Sequence, residues 1–250
     1  MRLQVGNRVF APRWWAALLA VAAVAGCLSL ASWQFGRAGE KQALIASFER
    51  GASTSVELGL GTVASLPRYQ HVTARGSYDP SRQVLIDNMP SSAGTAGFRV
   101  LTPFVRPGSQ KLLLVDRGWV PLGLRRDQLP AVTVTDGMRE AAGRLDQLPV
   151  PGLRVGTADA AGDVKWPRIL LFPTAADLEQ VYGEPVESRI VLLDADQPDG
   201  YERAWRPALE FPPERHLGYA VQWLALAAVS LVIFIALSTQ RDPVPETSRS

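Results

Sequence analysis

The sequence predicts an α+β protein: two terminal transmembrane helices flanking a mainly antiparallel β periplasmic domain with minor helices. Three observations carry this. Charged side chains are absent from Trp14 through Gly36 and again from Leu217 through Gln240. The stretch between them reads as short β-patterned runs broken by turn residues. No helical pattern alternates regularly with strands, which argues against a parallel doubly wound sheet.

Spanning the hydrocarbon core takes about 20 helical residues at roughly 1.5 Å rise each, so either apolar run suffices. The second, LGYAVQWLALAAVSLVIFIAL, has aromatic residues at its entry and no breaker inside. The first is Ala-rich, and Trp14, Trp15 and Trp33 bracket it as interfacial anchors. Arg2, Arg8 and Arg13 precede it with no acidic residue among them, which places that end in the cytoplasm. Two spans return the tail to the same side. The expected layout is a cytoplasmic arm (1–13), a first span (14–36), a periplasmic domain (37–215), a second span (216–238) and a cytoplasmic tail (239–250), in a bacterial inner membrane.

Val24-Ala25-Gly26-Cys27 resembles a lipoprotein signal-peptidase box. The apolar run continues past Cys27, however, whereas a mature lipoprotein turns polar at once, and no A-x-A cleavage site stands out. Small residues recur four apart (Ala16 and Ala20; Ala23, Cys27 and Ala31; Ala220 and Ala228, two turns apart). Such stripes let helices approach closely, although alanine is also simply common here.

After the first span, Gly39–Arg50 reads as a short helix leaving the membrane and Gly51–Leu66 as a loop. His71–Tyr78 alternates as a strand; Gln83–Asp87 is a short strand ending in the turn-prone Asp87-Asn88. After the loop PSSAGTAG, Phe98–Val105 and Lys111–Val115 make a hairpin around Arg106-Pro107-Gly108-Ser109. Met138–Leu145 and Ser188–Leu193 are further strands. Ala175–Tyr182 is a helix with Thr174 as N-cap and Gly183 past its end. Prolines near Pro149-Pro151 and Pro212-Pro213 mark loops.

Composition narrows the chemistry. With 26 Lys and Arg against 24 Asp and Glu there is no concentrated basic surface of the kind that binds nucleic acid. One cysteine excludes an intramolecular disulfide and a cysteine-based zinc site. Two histidines, His71 and His216, restrict acid–base and metal chemistry. The hydrolase elbow, P-loop, dinucleotide fingerprint and HExxH motifs are absent, so the chain is not expected to be an enzyme. Asp116 beside Arg117 reads first as an ion pair closing a turn.

His216 is the most informative residue. It falls where the chain enters the second span, where the helix dipole and lipid proximity both favour neutral imidazole. Tyr219, Ala220 and Trp223 follow it on one helical face. That face suits a flat cofactor such as haem; the commoner case is an interfacial histidine bonded to water, headgroups or backbone. Arg203, Arg206 and Arg215 lie just outside the span and suit haem propionates or lipid headgroups.

Four blocks then carry a family resemblance. Trp33-Gln34 with Arg37 and Lys41 resembles a W-Q-x-x-R-x-x-x-K motif; Tyr69, Val72, Gly76 and Tyr78 a first strand; Asp87-Asn88, Gly97, Val100-Leu101-Thr102-Pro103 and Val115-Asp116-Arg117-Gly118-Trp119-Val120-Pro121 a central block; and His216-Leu217-Gly218-Tyr219-Ala220-Val221-Gln222-Trp223 a closing H-x-x-Y-A-x-x-W. Together they resemble the Surfeit locus 1 (Shy1-type) proteins, which assist assembly of cytochrome c oxidase. The resemblance implies a non-enzymatic assembly factor for a haem-copper (aa3-type) oxidase that binds haem a or passes it on to the large oxidase subunit. It implies the haem a synthesis machinery as a further partner. His216 becomes the suspected iron ligand, with Tyr219, Trp223, Trp33, Gln34 and Arg37 around the cofactor. A cofactor-free scaffold for oxidase subunits is the alternative. Ala31, Glu40 and Arg215 depart from the pattern, standing where the family often has Gly, an aromatic and Asn.

Overall fold

The computed structural model of the chain describes residues 3–5, 8–51, 53–60, 63–91, 93–123, 128–150, 165–207, 209 and 211–241. Arg2, Ser92, Pro151 and the tail from residue 242 lie outside the described residues. The chain divides into two compact units, Met1–Ile45 with Ala208–Ser250, and Ala46–Pro207.

The first unit begins with two short strands, β1 (Leu3–Val5) and β2 (Arg8–Phe10), and a 38-residue helix, α1 (Trp14–Gly51), whose last turns fall in the second unit. Gly36 and Gly39 lie inside α1, so one continuous helix of about 57 Å takes in both the first span and the short helix expected after it. The sequence between Trp33 and Arg50 otherwise consists of fair helix formers, and glycine costs only about 1 kcal/mol in a helix interior. Cys27 sits mid-helix, half-buried.

The second helix of this unit, Pro213–Ser238, is α3 in chain order, with proline in the first turn where the missing N–H goes unused. Both helices are long and apolar enough to cross a membrane. Leu18, Leu19, Val21, Leu226, Val232 and Leu237 remain exposed on their outer faces, as a lipid-facing surface would be. Buried positions are small or polar: Ala31, Gln34 and Ala38 on α1, Ala220 and Ala227 on α3. These spacings of three, four and seven follow a heptad seam, and Ala23 and Ala228 are exposed, so the expected four-residue stripe is only partly the one used. Thr239–Arg241, the eleventh strand (β11), pairs antiparallel with β2, and β2 pairs with β1.

The second unit holds β3 (Ser55–Glu57), β4 (His71–Tyr78), β5 (Val84–Ile86), β6 (Gly97–Val105), β7 (Leu112–Pro121), β8 (Arg139–Asp146), β9 (Arg168–Leu170), α2 (Ala175–Tyr182) and β10 (Val186–Leu193). The sheet runs β3-β4-β8-β10-β7-β6-β5-β9. An additional pairing of β4 with β6, Ser77 opposite Val105 and Tyr78 opposite Phe104, closes β4-β8-β10-β7-β6 into a small barrel. Most pairs are antiparallel; β3–β4, β7–β10 and β5–β9 are parallel.

Alternate residues of β7 and β10 face two different cores. Leu113, Val115, Val191 and Leu193 join one apolar cluster with Val72, Phe104 and Leu145. Leu112, Leu114, Ile190 and Leu192 join another with Leu178 and Tyr182 of α2. Burial on both faces is why these strands read as unbroken apolar runs. Helix α2 forms where expected: the Thr174 hydroxyl accepts from the Asp177 amide, Asp177 answers to the Thr174 amide, and Gly183 takes the left-handed conformation at φ 70°.

Candidate functional site

At one end of the α1–α3 pair a cavity of about 310 Å³ is lined by Trp33, Gln34, Arg37, Lys41, Phe211, His216 and Tyr219. On α1, Trp33, Arg37 and Lys41 recur four apart and Gln34 lies three before Arg37, which keeps them toward one side of the helix. On α3, His216 and Tyr219 are one turn apart. The imidazole Nδ1 of His216 donates to Oε1 of Gln34 at 2.8 Å. A carbonyl oxygen only accepts, so Nδ1 is the donor, and a neutral ring in this contact keeps its lone pair on Nε2. Gln34 is nearly buried, so its amide is a fixed support.

Cations and aromatics line the rest of the cavity. The Arg37 guanidinium lies 5.8 Å from the Trp33 ring and pairs with Glu40 at 2.8 Å. Glu40 thus tethers Arg37 at the position where it departs from the family pattern. Phe211 stands edge-on to His216 with centroids 6.3 Å apart, and Arg215 stacks on Phe211 at 4.9 Å.

The structure therefore brings together five of the six expected residues: His216, Tyr219, Trp33, Gln34 and Arg37. Trp223 is not among the lining residues. Seven residues beyond His216, it lies about 10.5 Å further along the helix and is half-buried there. Lys41, quoted in the first block but not assigned to the cofactor, also lines the cavity. Phe211 lines it unexpectedly; it lies ahead of two prolines and has no periodic signal. Arg203 is engaged within the second unit, where its guanidinium donates to the backbone carbonyls of Asp194, Ala195, Gln197 and Tyr201.

The central block of the second unit has a different character. Asp116 and Arg117 are neighbours on β7 and point to opposite faces, so they do not pair with each other as expected. Asp116 is fully buried, pairs with Arg99 and accepts the Gly118 amide at 3.0 Å. Burial pushes its carboxyl up, and Arg99 and the Gly118 amide pull it back. Arg117 is also fully buried and donates to Asp199 O (2.8 Å), Gln83 Oε1 (3.1 Å) and Thr133 O (2.5 Å). Its guanidinium lies 5.8 Å from the ring of Tyr78, whose hydroxyl pKa is pushed up to about 12 by burial despite Arg117.

The register of β6 against β7 slips between Arg99 and Leu101, which puts a bulge at Arg117-Gly118. Gly118 sits at φ 111°, and a Cβ there would stand 2.6 Å from Glu202 O. Trp119 exchanges backbone hydrogen bonds with Glu202, and its indole donates to Met89 O at 2.8 Å. His71, for which the sequence offered no partner, meets Asp194 at 2.6 Å. That contact joins residues 123 positions apart.

A family model described as the SURF1 family matches residues 21–228, from within α1 to within α3. The chain belongs to the SURF1 family. Two SURF1-like proteins are similar to it over most of their length. That of Rickettsia conorii is 24% identical over 212 residues, covering 83% of this chain and 85% of the relative. That of Rickettsia felis is 25% identical over 220 residues, covering 83% of this chain and 90% of the relative. The matched span of this SURF1-family chain contains both the cavity residues and the barrel motif.

Proposed function

We propose that the protein is an inner-membrane assembly factor for an aa3-type haem-copper oxidase, holding haem a at the α1–α3 cavity for delivery to the large oxidase subunit. The SURF1 family is a family of oxidase assembly factors and not of enzymes. The observation that carries the finer reading is the His216–Gln34 hydrogen bond, which leaves one imidazole nitrogen free in a cavity of aromatic and cationic side chains.

The donor set fits an iron porphyrin. Gln34 holds the His216 ring in one tautomer and one orientation, the supporting contact that metal-ligating histidines usually have. Trp33, Tyr219 and Phe211 offer flat apolar contact, and Arg37 and Lys41 offer charge-assisted hydrogen bonds to carboxylates. When bound, haem a supplies an iron for the free imidazole nitrogen and propionates for the cations. A cavity of about 310 Å³ is at the small end for a ligand site, so a porphyrin would be only partly enclosed there. His216 would hold the group through one imidazole nitrogen, with Trp33, Tyr219 and Phe211 against it and Arg37 and Lys41 toward its carboxylates.

The membrane arrangement belongs to the same proposal. Arg2, Arg8 and Arg13 keep the N-terminal arm in the cytoplasm, and residues 37–215 are then periplasmic. The β2–β11 pairing supports it, because it holds the approach to α1 and the exit from α3 at one end of the helix pair. The haem a synthesis machinery is the partner expected upstream.

Purification of the full chain from a host that makes haem a tests the reading. A Soret band is expected, and His216→Ala should abolish or shift it while the thermal melt stays unchanged. An unaltered band removes His216 from the site. Co-purification with the large oxidase subunit and no haem signal would instead favour a cofactor-free scaffold.

A further inference from the structure

The opposite end of the helix pair carries a second set of cavities. Here the Ala11 amide donates to Ser238 O at 2.8 Å and Phe10 meets Phe234 edge-on, so the arm and the end of α3 are held together. A cavity of about 550 Å³ opens between the helices, with Arg13, Trp15 and Gln240 among polar or interfacial residues and Ala16, Ala20 and Phe234 in its apolar wall. A neighbouring cavity of about 490 Å³ is lined by Arg8, Thr239 and Gln240 over the side of α3 that carries Val232 and Ile235. Gln240 lines both.

Deeper in the pair lies a third, almost wholly apolar space of about 320 Å³, lined by residues from Ala17 to Leu28 with Leu231 and Phe234. Ala20 and Phe234 line both this space and the first cavity, so an apolar path continues along the helices. From Arg13 to Leu28 it covers about 22 Å of helix, more than the roughly 15 Å depth of one leaflet.

Charge selects the occupant. Arg8 and Arg13 are exposed, and neither makes an ion pair among the described residues. No acidic residue occurs among the described residues from 3 to 13 or from 239 to 241; Asp242 and Glu246 follow outside them. We infer that this end of the helix pair binds an anionic phospholipid, its phosphate between Arg8, Arg13 and Gln240 and an acyl chain along the Ala16–Ala20–Phe234 path. Basic pockets beside membrane helices favour acidic headgroups, and a tryptophan at the rim suits the headgroup level. The inference needs both helices to cross a bilayer and is independent of haem.

The test uses the full chain in mild detergent with equimolar phosphatidylglycerol and phosphatidylcholine of identical acyl chains, read by native mass spectrometry. Retention of phosphatidylglycerol over phosphatidylcholine is expected. Arg8→Gln and Arg13→Gln should each reduce that preference about five-fold, Arg8→Lys and Arg13→Lys should largely keep it, and Ala20→Leu should lower retention by filling the floor. Equal retention of the two lipids, or a preference surviving both glutamine substitutions with an unchanged thermal melt, would overturn the site. Displacement of phosphatidylglycerol by excess inorganic phosphate would reassign it to a free anion. A chain that stays in water after detergent removal and retains neither lipid would overturn the membrane reading, and this site with it.

Discussion

The α1–α3 cavity and the Asp116–Trp119 block are both dense in polar and aromatic residues, and both fall in the part of the chain that matches the family. Their polar groups are used in opposite ways. In the block, the Asp116 carboxylate, the Arg117 guanidinium, the Gly118 amide and the Trp119 indole are all engaged by strands and loops of the same unit. At the cavity, His216 has one nitrogen engaged and the other without a hydrogen-bond partner among the described residues, and Tyr219 and Trp33 are about half exposed. A polar motif whose partners are already supplied by the fold reads as structure. One that keeps an unused ligand atom beside a cavity reads as a site.

The sharpest way to break this contrast is Gly118→Ala. The backbone there is left-handed and a Cβ would meet Glu202 O at 2.6 Å and the Arg203 side chain at 2.9 Å. Both neighbours are held, Glu202 by Trp119 and Arg203 by loop carbonyls. A loss of about 3 kcal/mol or more is expected, read as a fall in the melting temperature of the full chain in detergent. A stable variant that lost only oxidase assembly would make the block a functional surface and erase the comparison.

Legibility differed between the regions for a physical reason. Helix α2 was readable because its signals are local: Thr174, Asp177 and Gly183 lie within ten residues. Strand β4 was readable from its alternation. The apolar pattern of β7 stops at Val115, where Asp116 and Arg117 read as an ion pair closing a turn. The strand continues to Pro121 because Arg99, Gln83 and Asp199 supply buried partners from elsewhere in the unit. The three-residue strands β3 and β9 exist only as parallel additions to β4 and β5, and β2 only between β1 and β11, which local pattern cannot foresee. At the cavity the residue types were legible; the Gln34–His216 contact, spanning 182 positions, was not.

Gln34 offers a finer test of the cavity. Leucine at this position removes the acceptor while keeping bulk, so the imidazole loses its fixed tautomer. Haem a affinity should fall by about 10- to 100-fold, the usual cost of losing a histidine's supporting contact, with little change in melting temperature. Gln34→Glu should restore binding and lower the iron's reduction potential, because a carboxylate makes the imidazole a stronger donor. An equal loss of affinity in both variants, with the spectrum of the residual complex unchanged, would make Gln34 a packing residue only.

Acid titration gives the smallest and most diagnostic effect, because the second unit's carboxylates are tied into its fold. Burial raises Asp199, but the Thr135 hydroxyl and amide, Arg139 and Arg117 more than offset it, and its pKa falls below the ordinary carboxylate value. Asp79 is lowered in the same sense, burial being outweighed by Ser81 and Arg82. A group with a depressed native pKa binds protons more readily in the unfolded chain, so its contribution is fully present above the ordinary value of about 3.9 and is lost as pH falls through the native one. The melting temperature should therefore hold down to about pH 4 and decline below it, and Asp199→Asn should flatten part of that decline while lowering stability at neutral pH. If Asp199→Asn left the acid limb as steep as before, the carboxylate would not be the stabilising anion that its contacts with Thr135, Arg139 and Arg117 imply. The block's claim to be satisfied structure would then rest on its buried members alone.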